Sequence, residues 1–190
     1  SRTTGGLRGR LSPADLRLGS RGLRGVVFSE PQIRQRVADL GEEITRAYPE
    51  GDLLVIGLLK GSFIFLADLV RAIRRPLQVD FLVASSYGSA SVSSGEVRLL
   101  YEPAVPLRGR HILLVEDIID SGRTLASLTD RLRSRGPSSL AICALLDKQI
   151  APPLADVRFV GFPAPPAFLV GYGLDHAEDF RHLPYIAELG

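Results

Sequence analysis

Ile112-Leu-Leu-Val-Glu116-Asp117-Ile-Ile-Asp120-Ser121-Gly122-Arg123-Thr124 is the stretch that decides the fold. An apolar run of the kind that forms a buried strand carries two adjacent carboxylates near its end, then a third, and turns at once into a helix. The two halves of the segment favour opposite partners. A Ser-Gly-x-Thr loop opening a helix offers backbone N–H groups and a positive dipole end to a phosphate. Glu116, Asp117 and Asp120 would repel that phosphate. A helix cap needs only one such carboxylate, so three within this short span ask for a further role. A phosphorylated sugar reconciles them: its phosphate fits Ser121 to Thr124, while its hydroxyls, or a Mg²⁺ chelated by them, face Glu116 and Asp117.

Outward from this segment, strands and helices alternate. Ser29 and Gln32 form a capping-box pattern around Pro31. Ile33, Val37, Leu40 and Ile44 then mark one apolar helix face. Leu53 to Leu59 reads as a buried strand, Ser62 to Ile73 as a helix and Leu77 to Ala84 as a strand. Glu96 to Tyr101 reads as another strand, Thr124 to Arg135 as a helix stopped by Gly136-Pro137, and Leu140 to Leu146 as a core strand. Shorter strands are expected near Val157 to Phe162 and Ala167 to Gly171. This order predicts an α/β fold with a mainly parallel sheet covered on both faces, and a ligand site at the carboxyl ends of its strands. Residues 1–25, rich in Arg, Gly and Ser, are expected to be a loosely docked or disordered arm, and residues 26–190 one domain.

Composition narrows the function classes. A net charge of +2, with the arginines interleaved with acids, argues against nucleic acid as the main partner. No apolar run approaches the ~20 residues of a membrane helix. Cys143 is the only cysteine, which excludes an intrachain disulfide and suits a reducing, cytoplasmic setting. Only two lysines, Lys60 and Lys148, stand beside 21 arginines. Where Arg so dominates, a retained Lys points to a place that needs a compact point charge.

Both lysines fall in segments that, with the central motif, resemble the 6-oxopurine phosphoribosyltransferases, the hypoxanthine-guanine type and its bacterial members in particular, from Ser29 to Leu189. The central motif is similar to that family's site for 5-phosphoribosyl-1-pyrophosphate (PRPP). The resemblance implies a type I phosphoribosyltransferase fold with a small hood built from the N- and C-terminal segments. Leu59-Lys60-Gly61 resembles the family's pyrophosphate loop, with a cis peptide expected between Leu59 and Lys60. Ser86 and Tyr87 match the start of a closing lid. Lys148, after Leu146-Asp147, matches the purine-reading lysine, whose ammonium donates hydrogen bonds and accepts none, and so suits a purine O6 rather than a 6-amino group. Phe168 is implied to stack on the purine, the Leu169 backbone to meet its Watson–Crick edge, Asp175 to lie at Mg²⁺ beside the purine, and Arg181 to bind pyrophosphate.

As an expectation, the resemblance implies Mg²⁺-dependent transfer of the phosphoribosyl group from PRPP to N9 of hypoxanthine or guanine. Glu116, Asp117 and Asp175 would be the metal-side carboxylates and Asp120 the base, with Lys148 and Arg181 completing the catalytic set. Ser121, Gly122, Arg123 and Thr124 would hold the 5′-phosphate. A homodimer or homotetramer is implied. Two alternatives stand beside this reading, a xanthine-preferring enzyme and a weakly catalytic regulator that binds PRPP, nucleotide or RNA. The chain departs from the family pattern at Tyr101-Glu102-Pro103-Ala104, at Gln149 to Pro153 and at His176, and the first two changes remove positive charge near the pyrophosphate site.

Overall fold

The computed structural model describes residues 15–86, 97–150 and 152–190. Six strands form the main sheet. These are β2 (Leu53–Leu59), β3 (Gln78–Ser86), β4 (Val97–Tyr101), β5 (His111–Ile119), β6 (Ser139–Asp147) and β7 (Val157–Pro163). Their order is β4-β3-β2-β5-β6-β7, and all neighbours run parallel except β4, which pairs antiparallel with β3 at the edge.

The near-continuous apolar runs of β2, β5 and β6 follow from burial on both faces. Alternate residues divide between two cores. Leu53 and Val55 of β2 pack with Leu113 and Val115 of β5 under α1 (Glu30–Ala47) and α2 (Phe63–Ala72). Leu54, Ile56, Ile112 and Leu114 face the other way, toward Leu125, Leu128 and Leu132 of α3 (Arg123–Arg133). The expected capping box opens α1, with both Ser29–Gln32 hydrogen bonds made.

A second, three-stranded antiparallel sheet forms a hood, in the order β1 (Leu23–Phe28), β9 (Ile186–Leu189), β8 (Leu169–Val170). Residues 15–25 of the expected arm fall within the described structure beside this sheet. The chain is docked from Asp15 onward, and β1 begins at Leu23, before the expected boundary at Gly25. Leu18 is buried with Val170, Phe180 and Leu183, Arg21 pairs with Asp179 at 2.7 Å, and Tyr185 donates its hydroxyl proton to Asp15. The apolar side chains that make this possible are too few to show a period in sequence. The rest of the arm, residues 1–14, lies outside the described residues, as does most of the expected lid.

Among the described residues, no helix is long and apolar enough to cross a membrane. Cys143 is fully buried, and burial pushes its thiol pKa up, as expected for an inert core thiol.

Candidate active site

After β2 the chain moves outward to β3 and then returns to β5 on the other side of β2. The direction of strand order therefore reverses between β2 and β5, the point where a parallel α/β sheet opens a crevice beyond its strand ends. The β2–α2 turn and the acidic end of β5 meet there. The Leu59–Lys60 peptide is cis, as expected. A Cβ on Gly61 would overlap Asp117 Oδ2, and one on Gly173 would overlap the Gly61 carbonyl. The missing Cβ of Gly61 lets the loop close on the β5 carboxylate, and the missing Cβ of Gly173 lets the hood close on the loop. Behind it, Ser62 is buried and donates its hydroxyl to Leu58 O at 2.7 Å, fixing the turn.

On β5, Glu116 Oε1 accepts the Asp117 N–H at 2.8 Å, and Asp117 Oδ1 accepts the Ile118 N–H at 2.7 Å. Burial, reinforced by the neighbouring Asp117, holds the Glu116 carboxyl well above the ordinary glutamate range. The strand ends at Ile119, and Asp120 and Ser121 lead into Gly122 at φ 77°, the N-cap of α3. Gly122 has no side chain to cap the helix, and the Arg123 N–H makes a long hydrogen bond, 3.4 Å, to Ser121 Oγ. Beyond that one long contact, the amino end of α3 offers its N–H groups and the positive end of its dipole to an anion.

Asp120 meets Lys148 across the crevice, with Nζ 3.1 Å from Oδ2. Their strands run side by side, and Lys148 N–H donates to Ile119 O at 3.0 Å, which brings the two ends level. A depression of about 380 Å³ adjoins this turn, lined by Asp120, Ser121, Gly122, Asp147 and Gln149 among others. A larger cavity of about 550 Å³ lies elsewhere, between α1, α2 and the hood around Asp68, Tyr172 and His182, and includes none of the motif carboxylates.

The hood supplies the remaining residues. Phe168 is 56% exposed, so its ring is free of the core; its only ring contact among the described residues is His176, edge-on at 5.4 Å. Leu169 is buried as the first residue of β8. Arg181 donates to Gly173 O at 2.6 Å and lies 3.4 Å from both Asp175 and Glu178. Its Nε is buried and has no hydrogen-bond partner among the described residues. Lys60 pairs with Glu178 at 3.1 Å.

Among the described residues, no group of three or more His, Cys, Asp or Glu side chains is placed to hold a metal ion. Glu116, Asp117 and Asp175 therefore form no single protein cage. Their oxygens nevertheless suit Mg²⁺, which commonly takes one or two carboxylates and completes its shell with substrate oxygens and water. Ser86 ends β3 at the same edge of the sheet, and Tyr87 lies outside the described residues. Sequence reasoning missed three contributors: Glu178 on both cations, His176 on the Phe168 ring, and Arg21 behind the hood loop. The ionic pairing had no local signature, because Glu178 is 118 positions from Lys60. The departure at Glu102 has a structural use, a bidentate pair with Arg131 of α3 at 3.1 Å for both contacts.

Residues 26–176 match the phosphoribosyl transferase domain family. The chain is 46% identical over 167 residues to the hypoxanthine phosphoribosyltransferase of Salmonella typhimurium, covering 86% of this chain and 94% of that protein. It is 48% identical over 166 residues to the hypoxanthine-guanine phosphoribosyltransferase of Bacillus subtilis, covering 86% and 92%. A crystal structure of a hypoxanthine-guanine phosphoribosyltransferase from Bacillus anthracis superposes with a TM-score of 0.84 at 40% identity, over 89% of this chain and all of that one.

Proposed function

The chain belongs to the phosphoribosyltransferase family, and we propose that it is a purine-salvage enzyme that transfers the 5-phosphoribosyl group of PRPP to N9 of hypoxanthine or guanine, forming IMP or GMP and pyrophosphate. The observation that carries this reading is the Asp120–Lys148 pair, set beside a helix N-terminus whose N-cap is a glycine. The pair supports the reading because joining an oxopurine to a sugar phosphate requires a base and an oxygen-reading cation beside a phosphate seat.

The α3 N-terminus and the Ser121 to Thr124 loop hold the 5′-phosphate, with dipole and N–H groups aimed at it. Glu116 and Asp117 accept hydrogen bonds from the ribose hydroxyls. Lys148 donates to the purine O6, Phe168 offers its face to the ring, and backbone at Leu169 meets the Watson–Crick edge. Adenine would present a 6-amino donor to Lys148, and such a mismatch rejects a substrate strongly. Asp120 accepts the purine proton as the N9–C1′ bond forms and the C1′–O bond to pyrophosphate breaks, its electron pair leaving with pyrophosphate. The sugar passes through an oxocarbenium-like state, as in glycosyl transfer generally. Lys60 and Arg181 offset the charge growing on the leaving group. Mg²⁺, held on the Glu116, Asp117 and Asp175 side of the crevice, would supply further positive charge to PRPP.

As a cytoplasmic homodimer or homotetramer, the enzyme would bury apolar side chains that one copy leaves exposed. Val79, Phe81, Leu100 and Tyr101 on β3 and β4 are such residues.

Measuring pyrophosphate release from PRPP and Mg²⁺, with hypoxanthine, guanine, xanthine or adenine supplied one at a time, tests the function. Turnover with hypoxanthine or guanine and none with adenine is expected. Preference for xanthine would reassign the substrate, and silence with all four while PRPP binds would favour the regulator.

A further inference from the structure

Lys60 and Arg181 come from different parts of the fold, yet one carboxylate spans them. Glu178 Oε2 lies 3.1 Å from Lys60 Nζ, and Oε1 lies 3.4 Å from Arg181 Nη2. On the reading above, these are the two cations that receive pyrophosphate. We propose that Glu178 is an internal placeholder for the leaving group, a tethered anion that occupies the pyrophosphate cations in the empty site, competes with pyrophosphate for them, and so weakens its retention.

The backbone is shaped for this contact. Ala177 at φ 50° and Glu178 at φ 70° both lie in the left-handed region, in a two-residue turn closed by paired hydrogen bonds between His176 and Asp179. Such turns favour Asn and Gly, whereas this one uses two residues that pay a steric penalty there. An unfavourable backbone held at a functional site calls for a role. Asp175 Oδ2 takes the Glu178 N–H at 2.9 Å on one side. On the other, Arg21 grips Asp179 and lies over the Phe180 ring, 4.8 Å from its centroid. The turn thus presents its carboxylate to Lys60 from a braced base.

Arg181 also keeps capacity in reserve. Among the described residues its Nε is buried and unpartnered, while Nη1 holds Gly173 O and Nη2 faces Glu178 and Asp175. Pyrophosphate, with more oxygens and more charge than a carboxylate, can displace Glu178 because it offers more acceptors to the same two cations.

The discriminating variant is Glu178→Gln, which keeps the shape and removes the charge. Calorimetric titration of the intact protein with pyrophosphate and Mg²⁺ should give a Kd about 3- to 10-fold lower in the variant, the scale expected of exposed ion pairs. The gain should shrink in a Lys60→Gln background, which a purely structural role for Glu178 would not produce. GMP affinity, measured in parallel, should be unchanged and reports on folding. Pyrophosphate affinity that is equal or weaker in a variant that still binds GMP overturns the placeholder. A wild-type protein that neither turns over nor binds pyrophosphate overturns the proposed function itself.

Discussion

On the proposed function Asp120 is the base, and it is an exposed carboxylate, 63% accessible and held only by Lys148 among the described residues. So exposed an ion pair contributes little to folding. Asp120→Asn should therefore lower kcat by about 10²–10⁴ while leaving the thermal midpoint nearly unchanged, since it removes a base and no packing. A normal turnover number in that variant would refute the assignment. Glu116 behaves in the opposite way. Its folded pKa is raised, so above that value the charged carboxylate costs stability. Glu116→Gln should be more stable than wild type at neutral pH in chelator-containing buffer. That advantage should fade as pH falls through the raised folded value, and vanish below the ordinary 4.5, where both forms are neutral. Denaturant melts across pH measure it, and equal stability at pH 7 would refute it. Both carboxylates were legible in the motif. Their contrasting environments were not, because burial depends on which strands flank β5.

At the scale of elements, the β2–α2 turn and the hood depend on each other through Gly61 and Gly173. Gly61→Ala would place a methyl group on the Asp117 carboxylate, so the turn or the carboxylate must move. The expected result is at least about a tenfold loss in kcat/KM for PRPP, since misplacement of about 1 Å can cost 10²-fold. Steady-state kinetics with varied PRPP would detect it, and wild-type kinetics would show that the turn has slack. Leu18 ties the arm to the hood by burial against Phe180 and Leu183. Leu18→Ala should destabilise the protein by about 2–3 kcal/mol, at the lower end for a buried leucine because the site is peripheral. Denaturant unfolding reports this, and a change under 0.5 kcal/mol would mean that the arm is dispensable. The helices and parallel strands were readable because their periods are local. β1 was missed because Leu23 to Phe28 opens with Leu-Arg-Gly and finds its partner only at the far end of the chain.

On the scale of the whole molecule, β4 is a short antiparallel edge, and Val79 and Phe81 of the neighbouring β3 stay exposed. If copies associate through this face, Phe81→Lys combined with Val79→Lys should shift the mass measured by light scattering toward the monomer. An unchanged mass would place the interface elsewhere. The sequence alone determined the order of elements and the passage from apolar strand through acidic turn to helix between Ile112 and Thr124, because these are written in contiguous residues whose spacing constrains local backbone and charge. Only the tertiary structure decided that the arm from Asp15 joins the hood and that Glu178 sits on Lys60 and Arg181. Those features arise where distant segments meet, and the free energy that selects them comes from burial and charge pairing across the fold, which no local pattern records.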